Sequence, residues 1–300
     1  MSDLSNHSGI IVGVDGSTCS NVAVQWAARE ASMRNVPLKI VHVAYPAIGE
    51  FSGWGMSPAP LPEDLVQFQE QQAHTVIDDA IAIAEAAIDG ADHLQISSDL
   101  LWSTLVPTLV GLTKEAQMMV VGCRGQEALA RLLLGSVSTA LVHHAHCPVA
   151  VIHGDAPRPA GFDRAPVLVG VDGSPASELA TAIAFGEASW RGVGLVALHA
   201  WSDADWPEFP VLDPSAIKAT AEEVLAQRLA GWHERYPDVT VRRVVRFDHP
   251  ARHLLEQSES AQLVVVGSHG RGGFGGMLLG SVSTTIVHAA HVPVIVARQR

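Results

Sequence analysis

The sequence reads Gly122-Cys123-Arg124-Gly125, then nine residues, then Gly135-Ser136; 145 positions later it reads Gly267-Ser268-His269-Gly270, nine residues, then Gly280-Ser281. Glycine permits positive φ and lets main-chain N–H groups approach an anion closely. The serine after the last glycine stands where a helix is expected to begin, and helix N-termini attract phosphate. Each half of the chain therefore carries a candidate phosphate-binding loop.

The duplication extends well beyond these loops. Residues 10–44 align without gaps over residues 167–201, with 16 of 35 positions identical, and residues 118–151 align over 263–296, with 18 of 34 identical. Between these blocks the two halves diverge, and the first half is 12 residues longer. The identical positions include one unbroken run, Val12-Gly13-Val14-Asp15-Gly16-Ser17.

This repeat predicts two domains of similar size. We expect a first domain over residues 1–154 and a second over residues 166–300. Residues 155–165 would form the linker, because Gly, Asp and Pro cluster around this join.

The bulk composition bounds the class of protein. Apolar side chains make up 48% of the 300 residues, which suits well-filled cores. The net charge of −12 disfavours a general nucleic-acid-binding role, because such proteins neutralise phosphates with Lys and Arg. Three cysteines, Cys19, Cys123 and Cys147, indicate a reducing compartment rather than a disulfide framework. Residues 1–9 lack a signal-peptide pattern and no apolar run is long enough for a membrane span, so we expect a cytoplasmic protein.

Strand and helix patterns alternate in each half, which predicts a parallel sheet covered by helices on both faces. In the first half the strands are expected at Ile10–Asp15, Leu38–Ala44, Leu94–Leu100, Met118–Gly122 and Pro148–His153. Helices are expected from Ser17 or Ser20, over Leu65–Ile88, Val106–Gln117 and Ser136–His146, and in the second half from Ser174-Pro175.

Ligands of open parallel sheets bind beyond the carboxyl ends of the strands, where the strand order switches. If the first and fourth strands are neighbours, the loop ending in Asp15 and the loop starting at Gly122 open into one crevice. Asp15 would then face a ribose hydroxyl or a bound Mg²⁺, and Asp172 would do so in the second half. Two simpler readings stay open: an Asp after a strand often caps the next helix, and glycines after a strand often only make a turn.

The sequence around the glycines rules out two other nucleotide-binding motifs. No Gly-Lys-Ser/Thr follows a glycine loop, and the glycines follow the fourth predicted strand rather than the first, so neither a P-loop nor a dinucleotide fingerprint is present. No Ser, His and acid combination or paired-carboxylate motif indicates a catalytic centre. At most, Mg²⁺ with Asp15 or Asp172 would orient a water for slow hydrolysis of a bound phosphate group.

With these motifs, the chain resembles a tandem-domain universal stress protein of the mycobacterial type, in its ATP-binding subgroup. The resemblance rests on Val-Asp-Gly-Ser after the first strand and Gly-x2-Gly-x9-Gly-Ser after the fourth, and covers residues 10–153 and 166–298. It implies two Rossmann-like nucleotide-binding domains, each a five-stranded parallel sheet of order 3-2-1-4-5. Family members without ATP lack the glycine pattern, so the resemblance implies two ATP per chain.

The resemblance also implies binding residues, with the first-strand Asp on ribose and metal, the end of the second strand on adenine and the glycine segment on phosphates. In the first half these are Gly13, Asp15, Val43, Gly122, Arg124, Gly125, Gly135, Ser136, Val137 and Ser138. In the second half they are Gly170, Asp172, Ala200, Gly267, His269, Gly270, Gly280, Ser281, Val282 and Ser283, with Arg271 as a further charge.

We therefore expect a regulatory protein in which ATP occupancy controls conformation, assembly or partner binding. An ATP-cleaving transferase or synthetase and a scaffold that binds no nucleotide are the alternatives. The last strand of each half is expected at a sheet edge, and edges invite pairing, so we expect a homodimer through edge strands. The resemblance implies that these strands join the two halves of one chain, with chains then pairing again. Alternatively, the linker alone holds the halves together.

For several single residues the sequence leaves two interpretations open. His42 and His199 end the second strand of each half and either lie near the base or pack. Cys123 either gates binding through oxidation or is a tolerated small side chain, and Cys19 carries the same alternatives. Trp54 and Trp206 either cover a ligand or pack within their own loops.

Overall fold

The computed structural model of the chain describes residues 9–45, 63–88, 94–123, 134–154, 161–201, 214–271 and 278–298. In the first half the elements are β1 (Ile10–Val14), α1 (Thr18–Arg34), β2 (Leu38–Ala44), α2 (Glu63–Ala87), β3 (Ile96–Trp102), α3 (Leu105–Leu112), β4 (Met118–Gly122), α4 (Ser136–His144) and β5 (Val149–Ile152). After a 3₁₀ turn at Phe162–Arg164 come β6 (Val167–Gly170), α5 (Pro175–Arg191), β7 (Leu195–Trp201), α6 (Pro214–Arg235), β8 (Val241–Phe247), α7 (Pro250–Ser258), β9 (Leu263–Gly267), α8 (Ser281–Ala289) and β10 (Val294–Ala297).

The strands form one ten-stranded sheet in the order β3-β2-β1-β4-β5-β10-β9-β6-β7-β8. Each half has the expected order 3-2-1-4-5, and its strands pair in parallel. β5 and β10 pair antiparallel, with Val151 opposite Val294 and Val149 opposite Val296. This β5–β10 pair, called the seam below, joins the halves, so the linker is not the only connection between them.

The seam confirms the expectation that the last strand of each half joins the two halves. Because β5 and β10 use their edges on each other, these edges are not available to a second chain. The strands at the two ends of the ten-stranded sheet are instead β3 and β8.

Central strands are buried on both faces, as expected for a parallel sheet between two helical layers. Every residue of β4, β5 and β10 is buried, whereas the edge strand β3 has no buried residue. The fully buried strand β4 thus has a strong apolar run in the sequence. The sequence pattern of β3 is weaker, and its predicted start lies two residues before the observed one. α3 ends at Leu112 instead of the expected Gln117, because Lys114 and Glu115 donate only to carbonyls three residues back.

The starts of α1 and α5 follow the expected capping chemistry. The Ser17 hydroxyl accepts a hydrogen bond from the Ser20 N–H at 3.1 Å, and Ser174 accepts one from Ser177 at 3.2 Å. Pro175 occupies the first turn of α5. The caps hold both helix N-termini against the carboxyl ends of the sheet, where ligand sites of this architecture lie.

A buried ion network joins α1 to α5 across the two halves. Glu30 and Glu187 are both 0% exposed. Arg34 contacts Glu30 at 2.5 Å and also Glu187, while Arg191 contacts Glu187 at 3.0 Å and also Glu30. Each carboxylate thus has one guanidinium from its own helix and one from the other half, which compensates the burial of both charges.

Burial, together with the neighbouring Glu187 carboxylate, raises the pKa of Glu30 to about 7. Burial alone would also raise the pKa of Glu187, but Arg34 and Arg191 bring it below its ordinary value. The two glutamates are equivalent in the repeat and share the same two arginines, so the retained proton belongs to the pair.

Two basic side chains reach across the seam to carbonyl groups at helix C-termini. Arg298, after β10, donates to the carbonyls of Val142 at 2.5 Å and Ala145 at 3.0 Å, at the end of α4. His153, after β5, places its ring nitrogens 3.0 Å from the Val287 carbonyl oxygen and 3.1 Å from that of Val292, at the end of α8. A positive group at this end also suits the helix dipole.

Candidate functional site

A cavity of about 310 Å³ opens at the carboxyl ends of the second-half strands, a size in the range of small-molecule sites. β6 and β9 are neighbours there, and the strand order switches between them. All eleven residues predicted for this half line the cavity: Gly170, Asp172, Ala200, Gly267, His269, Gly270, Arg271, Gly280, Ser281, Val282 and Ser283. Residues far apart in sequence thus surround a single space.

Asp172 lies between the two loops that form this cavity. One carboxylate oxygen accepts the Ser174 N–H at 2.9 Å, and the other accepts the Arg271 N–H at 3.2 Å. Ser174, not Asp172, caps α5, so the helix-cap interpretation of the acid is wrong. The carboxylate instead ties the loop after β6 to the glycine loop after β9.

Asp15 has the same local arrangement in the first half. Its carboxylate accepts the Ser17 N–H at 3.0 Å, and Ser17 caps α1. The interpretation as a helix cap is therefore wrong for Asp15 as well.

Two glycines lie in close contacts that an added side chain would disturb. A Cβ at Gly267 would lie 2.8 Å from the carbonyl carbon of Ala176, because the end of β9 presses against the first turn of α5. A Cβ at Gly270 would lie 2.6 Å from the Asp172 carboxylate. A side chain at Gly267 would push the end of β9 away from α5, and one at Gly270 would push the Asp172 carboxylate aside.

The first turn of α8 supplies main-chain donors to the cavity. Its N-cap is Gly280, which has no side chain to cap the helix, and the first intrahelical bond runs from the Thr284 N–H to the Gly280 carbonyl at 2.9 Å. The N–H groups of Ser281, Val282 and Ser283 precede that bond and therefore have no partner within the helix. Such a helix N-terminus favours an anion.

The serines at the third position of α4 and α8 are used inside the fold. The Ser283 hydroxyl donates to the Gly267 carbonyl at 2.5 Å, and the Ser138 hydroxyl donates to the Gly122 carbonyl at 2.7 Å. Both serines are buried, whereas Ser281 is exposed at the cavity. An anion would therefore meet the main chain of Ser283, and both main chain and hydroxyl of Ser281.

Part of the cavity lining is apolar. Its side chains come from the strand ends and from α7: Val171, Leu198, Ala200, Pro250, Leu254 and Val266. The cavity thus combines polar, glycine-lined surface with apolar surface, as small-molecule sites commonly do.

His199 and His42 hold the acid-bearing loops in place. The Nδ1 atom of His199 lies 2.7 Å from the Val171 carbonyl oxygen, and that of His42 lies 2.7 Å from the Val14 carbonyl oxygen. Each ring therefore ties the second strand of its half to the residue just before Asp172 or Asp15. Of the two interpretations of these histidines, the packing role is the one that the contacts support.

Two residues of the second glycine loop, His269 and Arg271, have the following positions. His269 lies with its Nδ1 atom 3.1 Å from the Ser268 hydroxyl, and its main-chain carbonyl accepts from Ser174 at 3.2 Å. Arg271 is exposed at the cavity. Arg271 thus adds a positively charged side chain to the residues that line the cavity.

The first half repeats the anchors of this arrangement. The described site residues are Gly13, Asp15, Val43, Gly122, Gly135, Ser136, Val137 and Ser138, and they stand at the equivalent strand ends and helix start. The loop closes in the same way, since the Gly135 N–H donates to the Cys123 carbonyl at 2.8 Å and the Gly280 N–H to the Ser268 carbonyl at 2.7 Å. Arg124, Gly125, Trp54 and Trp206 lie outside the described residues.

Sequence reasoning missed six of the residues that line the second site: Val171, Ser177, Leu198, Pro250, Leu254 and Val266. Ser177 accepts the Asp172 N–H at 3.0 Å and lines the cavity, and it recurs as Ser20 in the aligned block, which was an available signal. Pro250 and Leu254 also line the cavity. They lie where the halves diverge, so the repeat gave no signal for them.

Comparisons with known proteins agree with this fold. The family model described as the universal stress protein family matches residues 8–153 and 164–298. Universal stress protein Rv2005c of Mycobacterium tuberculosis is 55% identical over 291 residues, covering 97% of each chain, and universal stress protein Rv2623 is 52% identical over 302 residues, covering 100% of this chain and 99% of its own. The chain therefore belongs to the universal stress protein family.

A solved structure supports the architecture independently. A universal stress protein from Archaeoglobus fulgidus DSM 4304 superposes with a TM-score of 0.70 at 19% identity, covering 98% of this chain and 99% of its own. Within the described ranges, no helix has the length and apolar character needed to cross a membrane.

Proposed function

We propose that this chain is a regulatory ATP-binding protein that holds one ATP with Mg²⁺ in each half. The observation that carries the proposal is the second-half cavity, where Asp172, the glycine loop and the uncapped N-terminus of α8 converge. Main-chain donors and a helix N-terminus suit phosphates, and the apolar part of the lining suits a purine.

The donor set also suits Mg²⁺ beside the phosphates. An ionised carboxylate has about four acceptor positions, and the two N–H groups on Asp172 occupy one on each oxygen. Mg²⁺ is commonly bound through one or two carboxylates together with substrate phosphates. When bound, the metal would neutralise phosphate charge, and Asp172 would orient it; Asp15 would take this role in the first half.

The regulatory part of the proposal rests on how α8 is held. Its N-terminus lines the cavity, and its C-terminus is contacted by His153 from the other half. α4 is held in the same way by Arg298. A phosphate that shifts either helix would therefore change contacts at the seam, and so the conformation that partners meet.

Assembly and location complete the proposal. We propose a homodimer in the cytoplasm, whose formation depends on nucleotide occupancy. Because β5 and β10 are paired within the chain, pairing through edge strands would use β3 or β8.

The test is to count the nucleotides released from freshly purified chain by mass spectrometry. We expect two ATP per chain in the parent protein, about one after Asp172→Asn and none after Asp15→Asn with Asp172→Asn. Asp99→Asn is the matched control, because Asp99 pairs with Lys39 at 3.1 Å on the edge strand β3, away from either site.

The other outcomes each favour a different function. Absence of adenine nucleotide, with no melting shift on added MgATP, would favour a scaffold. Rapid conversion of ATP to ADP or AMP on adding an acceptor would favour a transferase or synthetase. Equal ATP content in the parent and in the double Asn variant would overturn the proposed site.

A further inference from the structure

Two cysteine side chains meet at the neck of the first glycine loop. Cys19 lies in the first turn of α1, and Cys123 directly follows β4. Their sulfur atoms are 3.8 Å apart although 104 residues separate them in the sequence. Both side chains are buried, with 8% and 3% exposure.

The packing of Gly122 creates this approach. A Cβ at Gly122 would lie 2.8 Å from the carbonyl carbon and oxygen of Cys19 and 3.0 Å from its Cβ, so the end of β4 presses directly on α1. The next residue, Cys123, accepts the Gly135 N–H through its carbonyl at 2.8 Å, which closes the loop. The thiol of Cys123 is thus attached to the main chain that positions Gly135 and the start of α4.

We propose that Cys19 and Cys123 are an oxidation site that closes to an intramolecular disulfide and lowers nucleotide binding in the first half alone. The sulfur atoms must approach by about 1.7 Å to reach a bond of ~2.05 Å. The effect on binding rests on the function proposed above, whereas the disulfide itself does not.

The second half is an internal control for this proposal. Ala176 stands at the position of Cys19, and Ser268 stands at the position of Cys123. The close approach is kept there, because a Cβ at Gly267 would meet Ala176 as one at Gly122 meets Cys19. The packing is therefore common to both halves, and the sulfur chemistry belongs to the first half only.

The oxidant is a hydroperoxide, with hydrogen peroxide as the simplest member. One cysteine loses its proton and attacks a peroxide oxygen as the thiolate; the O–O bond breaks, a sulfenic acid forms, and the departing hydroxide takes up that proton to give water. The second sulfur then attacks the sulfenic sulfur, the S–S bond forms, and the S–O bond breaks to release a second water. Two thiols and one peroxide thus give one disulfide and two waters, and a dithiol reductant reverses the change.

The disulfide affects binding through the loop neck. To close the bond, Cys123 must move toward α1, and its carbonyl, which holds the Gly135 N–H, moves with it. Gly135 is the N-cap of α4, so the main-chain donors of that helix are displaced from their arrangement for phosphate. No equivalent bond can form in the second half, so its nucleotide stays.

The experiment treats the full chain with hydrogen peroxide, then maps peptides without reduction and counts bound ATP. We expect a peptide pair linked through Cys19 and Cys123, and a fall from two ATP per chain to one, reversed by dithiothreitol. Cys19→Ala, which introduces the residue of the second half, should give no linked pair and should keep two ATP after peroxide. Cys147→Val, which introduces the residue found at Val292, should respond as the parent does.

Three results would overturn the proposal. These are the absence of the linked pair, a linked pair with both ATP retained, and a Cys19→Ala variant that loses ATP as the parent does. A reduced chain without any nucleotide would overturn the proposed function and the effect on binding together. The linked pair would then still decide whether the covalent site exists.

Discussion

Replacing Gly270 by alanine tests the contact between the acid and the glycine loop. The added Cβ would lie 2.6 Å from the Asp172 Oδ2 atom, so the carboxylate must move by several tenths of an ångström or more. That oxygen accepts the Arg271 N–H at an already long 3.2 Å, and the movement breaks this bond. A hydrogen bond to a charged group is worth about 1.5–3 kcal/mol.

The expected loss in affinity follows from this magnitude. If the bond organises the loop for phosphate, its loss weakens ATP binding at the second site by roughly 10- to 150-fold. The fold should tolerate the change, because Gly270 is exposed and the clashing atom ends a side chain. Gly270 also has no positive φ that an alanine would have to adopt.

Isothermal titration calorimetry of the full chain with MgATP measures the effect site by site. We expect one site of parent affinity and one weakened site. Gly231→Ala on α6 is the matched control, since a Cβ there meets nothing within 4 Å. Two sites of unchanged affinity in the Gly270→Ala variant would refute the role given to the Asp172 contact.

Three further predictions concern stability. Gly122→Ala should destabilise the chain by about 1–3 kcal/mol, because its Cβ would meet main chain rather than a movable side chain, and urea unfolding measures this. The folded Glu30–Glu187 pair keeps one proton up to about pH 7, whereas an unfolded glutamate releases its proton near pH 4.5. The unfolding free energy should therefore fall by at most about 3 kcal/mol as the pH rises between these values. Glu30→Gln should flatten that dependence, because the pair then has no proton to share. Arg298→Gln should lower stability by roughly 1–3 kcal/mol, because the cap of α4 is lost. His153→Gln should lower stability by less. Melting curves measure both effects.

Each of these three stability predictions has an outcome that would contradict it. A Gly122→Ala variant as stable as the parent would show that α1 and β4 separate without cost. A Glu30→Gln variant with the parent's pH profile would place the titration elsewhere. Unchanged melting of the Arg298→Gln variant would mean that water replaces the cap.

Internal repetition explains why much of the fold could be predicted. The bounds of β2 and β4 match their apolar runs, and Ser17 and Ser174 cap the helices that they were expected to start. Buried parallel strands and side-chain caps are local signals that a single sequence carries. The strand order came from the resemblance to the family, and the structure confirms it.

The ion network between the halves could not be predicted, because a lone charge on a helix normally indicates a solvated face. Glu30 and Arg34 nevertheless recur as Glu187 and Arg191 within a repeated Glu-Ala-Ser-x-Arg. That recurrence shows only that both copies kept the charges. Their burial depends on how α1 and α5 face each other, which is fixed by the seam.

The candidate site, too, could be predicted only in part from the sequence. The glycines and Asp172 could be identified from spacing, but the bond between Asp172 and the Arg271 N–H joins positions 99 residues apart. The internal use of the Ser138 and Ser283 hydroxyls also depends on tertiary packing. Sequence spacing therefore identified where the site lies, whereas the contacts that each of its residues makes depend on the folded structure.

A crystal structure of the full chain with ATP and Mg²⁺ is the most direct measurement of nucleotide binding at these two loops. Phosphate density is expected at the first turns of α4 and α8, with a metal ion beside the carboxylates of Asp15 and Asp172. A nucleotide bound elsewhere, or phosphates directed away from Gly270 and Ser281, would contradict the account.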